Sequence, residues 1–229
     1  MPHRGVQFPF GQVMAPNPPV REVSSVASPH VHPTTAIGKG ATLVGDITVD
    51  EGVFIGYYAV LRADSAYPFY IGPKTNLQDY VLLHCHPAQF VTVRGKRMGV
   101  FIEGEVSVLH HAAVHGPLFI GRNTFIGQHA SVYDAVIGRN CVIMHGAVVT
   151  HRVQIPDGRY VAPGQAVHTQ DQADALPPVP EEFRHLNAEI VDHYHRLGRS
   201  YIQHSPLFIG RSTPNQTLHT PEHPPAPNT

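Results

Sequence analysis

The chain has 229 residues, enough for one sizeable domain with tails, and no apolar stretch is long enough to span a membrane. A net charge of −1 and 14% charged residues provide no electrostatic basis for binding nucleic acid or an anionic membrane surface. The two cysteines, Cys85 and Cys141, have no zinc-binding spacing. This favours a reducing compartment, so we expect a cytoplasmic protein.

Residues 1–33 are rich in proline, and Met1 to Asn17 contains no apolar core of signal-peptide length. We therefore predict an extended N-terminal arm over 1–33.

Residues 34–170 carry a repeat in which an aliphatic residue recurs every six positions, a register that no amphipathic helix maintains. Glycine often follows the aliphatic residue, as in Ile55-Gly56 and Ile126-Gly127, which suits a tight corner. Short strands of this kind, three to a turn, predict an all-β fold, a parallel β-helix with the aliphatic side chains inside. The predicted interior positions are Ile37, Leu43, Val49, Ile55, Leu61, Ile71, Leu77, Leu83, Ile102, Val108, Val114, Ile120, Ile126, Val132, Ile137, Ile143, Val149, Ile155, Val161 and Val167.

Residues 171–204 are predicted to form a linker and an amphipathic helix packed along the outside of the β-helix, because apolar residues recur there at three- and four-residue steps after Pro180. Glu181 and Glu182 favour the start of that helix. Residues 205–229 are again rich in proline and are predicted to be a disordered tail.

Two gaps in the repeat, Leu61 to Ile71 and Leu83 to Ile102, exceed the six-residue step. If each excess is a loop, Leu61, Leu83 and Val114 stack in one column. The residues that directly follow them, Arg62, His84 and His115, then share one face.

His84 and His115 would lie about one strand spacing apart, near enough to bind one metal ion together. His110 follows Val108 by two positions and lies on a different face, together with Gln78 and Asp79. In a three-fold trimer, His110 of a neighbouring subunit could complete a three-histidine site.

The chain resembles the gamma-class carbonic anhydrases over roughly residues 30 to 202. The resemblance is carried by Leu61-Arg62-Ala63-Asp64, Asn76-Leu77-Gln78-Asp79, Val81-Leu82-Leu83-His84, Ser107-Val108-Leu109-His110, Val114-His115-Gly116-Pro117, Thr124-Phe125-Ile126-Gly127 and Ile155-Pro156-Asp157-Gly158-Arg159-Tyr160. It implies a left-handed β-helix with a C-terminal α-helix, assembled as a homotrimer. The left hand comes from the resemblance alone, since parallel crossovers are normally right-handed.

The resemblance further implies a metal bound by His84, His110 and His115 at each subunit interface. The metal would be Zn²⁺, with Fe²⁺ or Co²⁺ also compatible with imidazole ligands. Metal-bound hydroxide would convert CO2 reversibly to bicarbonate and a proton. Gln78 would hydrogen-bond that hydroxide. Arg62, Asp64 and Asp79 would form a charged network across the interface, which either contributes to catalysis or only clamps the trimer.

Several positions depart from the family pattern. Ser65 stands where some active members carry a glutamate, and Pro87 stands about where the acidic loop would supply a proton-shuttling glutamate. The stretch from Cys85 to Gly99 has no carboxylate but contains Arg94, Lys96 and Arg97. Tyr194 occupies the position of an asparagine from the C-terminal helix, where it either serves the proton route or caps the pocket. These departures place the chain nearer the branch that lacks the acidic loop, whose members include both enzymes and scaffolds.

Proton transfer would then need other groups. His86 and His111 are candidates because imidazole titrates near physiological pH and each adjoins a predicted ligand, although both also fit ordinary surface histidines.

Two alternatives to an anhydrase stay open. A catalytically weak or inactive trimer could act as a scaffold whose Pro-rich termini bind protein partners. A hexapeptide acyltransferase shares the fold, but it needs one catalytic histidine rather than three converging ones.

Overall fold

The computed structural model describes residues 6–7, 11–21, 23, 25–64 and 67–209. Its strands pair in parallel with the strands one coil earlier and one coil later, which confirms the predicted parallel β-helix. The strands fall into three stacks, one for each side of the solenoid, and we name each stack after what covers it or what it carries.

The helix face is covered by the C-terminal helix. Its parallel strands are β4 (Ala36–Gly38), β7 (Phe54–Ile55), β10 (Asn76–Leu77), β15 (Ser107–Val108), β17 (Phe125–Ile126), β19 (Val142–Ile143) and β22 (Tyr160–Val161).

The histidine face carries His84 and His115. Its parallel strands are β2 (Val13–Ala15), β5 (Thr42–Gly45), β8 (Val60–Ala63), β11 (Leu82–Cys85), the first halves of β16 (Ala113–Ile120) and β18 (Ser131–Ile137), β20 (Val148–Val149) and β23 (Ala166–Val167), and β1 (Val6–Gln7) pairs antiparallel with β2.

The hairpin face lies beside a β-hairpin. Its strands are β3 (His30–Val31), β6 (Ile47–Val49), β9 (Phe69–Ile71), β14 (Val100–Ile102), the second halves of β16 and β18, and β21 (Gln154–Ile155).

The core is the aliphatic ladder that the sequence predicts. Every predicted interior position is at most 3% exposed, and all belong to one hydrophobic cluster. Cys85 also points into this core, and burial raises the pKa of its thiol to about 12. The six-residue period therefore predicts which residues of each coil point into the core.

The repeat is interrupted by two longer segments, one after Leu61 and one after Leu83. Between Leu83 and Ile102 the chain forms a hairpin of β12 (Val91–Val93) and β13 (Lys96–Met98), where the sequence indicated only a loop. In the gap after Leu61, Ser65 lies outside the described residues.

Strand pairing extends into both terminal segments. β2 and β3, within the segment expected to be an extended arm, pair with β5 and β6, and β24 (Phe208–Ile209), within the expected disordered tail, pairs antiparallel with β4. The first coil of a solenoid otherwise presents unpaired backbone groups, and these short strands satisfy them. β3 continues the six-residue step, since Val31 precedes Ile37 by six positions, whereas β2 and β24 are separated from the repeat and carry no such signal. Residues 210–229 of the predicted tail lie outside the described residues.

The predicted C-terminal helix is present as α2 (Leu186–His204), which contacts strands of the helix face. It is preceded by α1 (Gln170–Asp174) and by a 3-10 turn, Glu181–Phe183, so Glu181 and Glu182 precede α2 rather than begin it. None of the helices in the described residues is both long and apolar enough to cross a membrane.

Candidate metal centre

The register of the histidine face brings His84 and His115 together. Leu83 pairs with both Leu61 and Val114, which is the predicted column, and His84 is the direct cross-strand partner of His115. Both imidazoles are partly buried on the outer side of the sheet. Successive side chains of a strand alternate between its two sides, so the residue after each core position points outward.

The hydrogen bonds around the two rings define which nitrogens carry lone pairs. His115 Nδ1 lies 3.0 Å from the Gly116 carbonyl oxygen, which requires a proton on Nδ1 and leaves a lone pair on Nε2. His84 Nε2 lies 3.1 Å from Asp64 Oδ1, which likewise assigns the proton to Nε2. His84 Nδ1 then faces His115 Nε2 at 3.2 Å. Two imidazole lone pairs at this distance need a proton or a metal ion between them.

Asp64 and Arg62 hold His84 in place. Arg62 Nε donates to Asp64 Oδ2 at 2.9 Å, while Asp64 Oδ1 accepts from His84. Burial raises the pKa of Asp64, but the hydrogen bond and charge of Arg62, together with His84, outweigh this and hold the pKa below its usual value. An ionised carboxylate behind a histidine orients the ring and increases its basicity as a metal ligand.

The pair of rings fits a metal ion of the kind that the sequence predicts. Two nitrogen ligands of a tetrahedral zinc ion, each ~2.0–2.1 Å from it, lie about 3.3 Å apart, which agrees with the observed 3.2 Å between His84 Nδ1 and His115 Nε2. Burial lowers the pKa of His115, which favours the neutral ring that a metal requires.

His110 lies at the corner between the helix face and the histidine face, away from this pair. The Asp79 backbone N–H donates to His110 Nδ1 at 3.3 Å, and Asp79 Oδ2 lies 3.5 Å from the same nitrogen. Asp79 is itself held because its Oδ1 accepts from the Tyr57 backbone N–H at 2.8 Å. No group of three or more His, Cys, Asp or Glu side chains suited to a metal ion occurs within the described part of one chain.

The corner position that His110 occupies is present in every coil of the helix face and is filled by different residues. His145 occupies the equivalent position two coils later, and its Nδ1 accepts from the Gln128 backbone N–H at 2.9 Å. A corner histidine of this kind stabilises the stacking of coils whether or not it binds a metal. His145 is therefore a matched control for His110.

Gln78 is buried on the outer side of the helix face, 2% exposed. Its Nε2 donates to Asn76 Oδ1 at 3.0 Å, and Asn76 Nδ2 donates to Ser107 Oγ at 2.9 Å. This chain of hydrogen bonds fixes the orientation of the Gln78 amide. Asn76 and Ser107 appear in the family motifs of the sequence, but their positioning role was not predicted.

Tyr194 projects from α2 onto the helix face, where its ring packs edge-on against Phe54 with centroids 4.9 Å apart. Burial raises its pKa, and the negative charge of Asp79 adds to the effect. Tyr194 therefore belongs with Asp79 and His110, and not with His84 and His115 of the same chain.

The two predicted proton carriers lie in different surroundings. The His86 ring lies 4.8 Å from the His115 ring and 5.1 Å from the Tyr133 ring. His111 instead stacks between Tyr80 and His129 on the exposed corner. Tyr133 stacks on His115 at 4.7 Å and was not predicted, although it follows the core residue Val132 as His115 follows Val114.

The repeat, the fold and the paired histidines define a hexapeptide-repeat protein with a candidate metal centre. Residues 117–151 match the family described as bacterial transferase hexapeptide (six repeats). The chain is 35% identical over 177 residues to a carbonic anhydrase of Methanosarcina thermophila, covering 72% of this chain and 71% of that protein. The chain belongs to the gamma-class carbonic anhydrase family.

Two further comparisons show how widely this architecture is used. The chain is 31% identical over 186 residues to the carboxysome assembly protein CcmM of a Nostoc species, covering 81% of this chain but only 33% of that protein. The solved structure of a putative acetyltransferase from Bacillus cereus aligns with a TM-score of 0.68 at 23% identity, over 84% of this chain and 98% of that one. At that identity the likeness shows the fold alone.

Proposed function

We propose that the protein catalyses the reversible hydration of CO2 to bicarbonate and a proton, at a metal site shared between the subunits of a homotrimer of left-handed β-helices. The observation that carries the proposal is the 3.2 Å approach of His84 Nδ1 to His115 Nε2, with the opposite nitrogen of each ring hydrogen-bonded. His110 of a neighbouring subunit supplies the third imidazole.

A Zn²⁺, Fe²⁺ or Co²⁺ ion held by three imidazoles makes hydroxide available from water near neutral pH, the nucleophile that CO2 hydration needs. Zinc is the ion that we propose, since three histidines with one position left open are a common ligand set of catalytic zinc sites.

The side chains around the ligands have separate tasks. Asp64, held by Arg62, keeps His84 oriented, and the Gly116 carbonyl does the same for His115. Asp79 contacts His110 Nδ1 through its backbone N–H at 3.3 Å and through its carboxylate at 3.5 Å. For Nε2 to bind a metal, the proton of His110 must lie on Nδ1, where the Asp79 carboxylate accepts it. We propose that these residues position the ligands. A network of Arg62, Asp64 and Asp79 that only holds the trimer together would use the same contacts.

Gln78 is proposed to hydrogen-bond the attacking oxygen. Its amide is already oriented by Asn76, so little conformational entropy is lost when it engages the reacting group. Tyr194, packed on Phe54 beside the Asp79 corner, covers the helix side of the pocket.

His86 is the better placed of the two proton carriers. Its ring contacts that of His115, whereas His111 is held in an exposed aromatic stack with Tyr80 and His129. A proton acceptor must lie within reach of the site, directly or through one water.

A second function remains a candidate because the hairpin that replaces an acidic loop carries Arg94, Lys96 and Arg97 and no carboxylate. A weakly active or inactive trimer could serve as a scaffold in a reducing, cytoplasmic compartment, with protein partners bound through its termini. The similarity to an assembly protein supports this reading. An acyltransferase is less well supported, because it has no need for His84 and His115 to face each other.

The shared site is tested with mixed subunits. His84→Ala and His110→Ala proteins should each lose metal and CO2 hydration activity, measured by stopped flow on samples whose zinc or iron content is quantified. Mixing the two variants by unfolding and refolding should restore a fraction of intact sites. A His110→Ala subunit still supplies His84 and His115, and a neighbouring His84→Ala subunit still supplies His110, so the site between them has all three ligands.

His145→Ala is the control, since it removes an equivalent corner histidine without a proposed ligand. It should retain metal. No recovery in mixed trimers would refute the shared site, and a fully metallated but inert trimer would favour the scaffold.

A further inference from the structure

The β12–β13 hairpin is anchored at its base and cationic at its tip. The Phe90 ring packs edge-on against Tyr67 with centroids 4.9 Å apart, and the Arg97 guanidinium lies 4.7 Å from the centre of the same ring. A two-residue turn, Arg94 and Gly95 with φ of 49° and 76°, connects the strands. An isolated hairpin is marginally stable in water, so this packing at its base is what holds it in place.

A cavity of about 710 Å³ lies between this hairpin and the hairpin face. Its floor includes Tyr70 and Phe101, whose rings stack with centroids 4.9 Å apart. Val93 and Met98 contribute from the hairpin. A cavity of this size with an aromatic floor is typical of sites for small organic ligands.

The charges that line the cavity are arranged in two groups. Arg94 and Lys96 come from the exposed hairpin, whereas Asp46 and Asp50 come from the solenoid. Asp50 Oδ2 accepts from the Tyr70 hydroxyl at 2.7 Å.

The cations of the hairpin are available to a ligand. No ion pair joins Arg94 or Lys96 to a carboxylate within the described residues, although two other charged residues of the lining, Glu103 and Arg122, are paired with Arg139 and Glu105. An anionic group would therefore meet two positive charges at the hairpin that make no direct ion pair.

We propose that this cavity binds a nucleoside phosphate. The base stacks on the face of Tyr70 that Phe101 leaves uncovered, the phosphate contacts Arg94 and Lys96, and the ribose hydroxyls donate to the carboxylate of Asp46 or Asp50. A free inorganic anion would use the cations but has no base or ribose to contact Tyr70 and the carboxylates, so the cavity should bind the nucleoside phosphate more tightly. The site lies on a different face from His84 and His115 and is independent of the proposed function.

The test is calorimetric titration of the full chain with ADP, with adenosine and inorganic phosphate as separate probes. ADP should bind saturably, and each of its two parts should bind more weakly. Replacing both hairpin cations, Arg94→Gln with Lys96→Gln, should weaken ADP binding more than tenfold. Arg199→Gln, an exposed cation of α2, should leave it unchanged.

The aromatic floor is tested in the same way. Tyr70→Leu should also weaken ADP binding more than tenfold, whereas Phe119→Leu should not, because Phe119 does not line the cavity. The proposal is overturned by the absence of saturable ADP binding, by inorganic phosphate binding as tightly as ADP, or by equal losses in the control variants. The cation variants alter exposed side chains, so they remain informative if Tyr70→Leu fails to fold.

Discussion

Asn76→Ala tests whether the buried amide chain under α2 stabilises the fold and orients Gln78. Asn76 accepts from Gln78 at 3.0 Å and donates to Ser107 at 2.9 Å, and Asn76 and Gln78 are no more than 2% exposed. Alanine leaves one donor and one hydroxyl without a partner. Each buried group left unsatisfied costs ~1–3 kcal/mol, so we expect a loss of roughly 2–6 kcal/mol in the free energy of unfolding.

The assay is urea denaturation of metal-free protein at one fixed protomer concentration, since association alters apparent stability. The double variant Asn76→Ala with Ser107→Ala should lose less than the sum of the single losses, because the orphaned hydroxyl is removed. Ser200→Ala, an exposed position of α2, should change stability by no more than ~0.5 kcal/mol. If Asn76→Ala also stays within that range, the amide chain does not contribute as argued.

Three further predictions concern the core and the histidine face. Leu83 is fully buried between its cross-strand partners Leu61 and Val114, so Leu83→Ala should lower the free energy of unfolding by ~2–5 kcal/mol in urea titrations. Both thiols should resist Ellman's reagent at pH 8 in the native protein and react fully in denaturant, because burial raises the pKa of Cys85 to about 12 and of Cys141 to about 11. These folded pKa values exceed the ordinary value of 9.0, so the stability that the neutral thiols contribute is fully present below pH 9 and is lost as the pH rises through the folded values. Fast reaction with the reagent at pH 8 would contradict the burial of the thiols. Arg62→Gln should raise the pKa of Asp64 in the folded protein. The lowered folded pKa stabilises the protein at pH values above the ordinary pKa of 3.8, and this stability is lost as the pH falls through the folded pKa. The midpoint of acid unfolding should therefore move to higher pH in the variant, and an unchanged midpoint would count against the Arg62–Asp64 pair.

The sequence determines the solenoid almost completely. A six-residue period places one aliphatic side chain in the core at each rung, so the buried positions can be read without knowing any contact, and every predicted one is buried. Once each excess in the repeat is taken as a loop, the same counting aligns Leu61, Leu83 and Val114, and side-chain alternation then pairs His84 with His115.

Only the tertiary structure decided how those rings are held and what surrounds them. The contacts of His84 with Asp64 and of His115 with the Gly116 carbonyl depend on side-chain torsions, which a strand pattern does not specify. The Asn76–Ser107 hydrogen bond joins residues 31 positions apart, and Tyr194 reaches the helix face only because α2 packs across it. The hairpin of residues 91–98 interrupts the repeat, so the period says nothing about its path. Its position over Tyr70 and Phe101 is set by packing against Tyr67, a contact between loops that no periodic signal encodes.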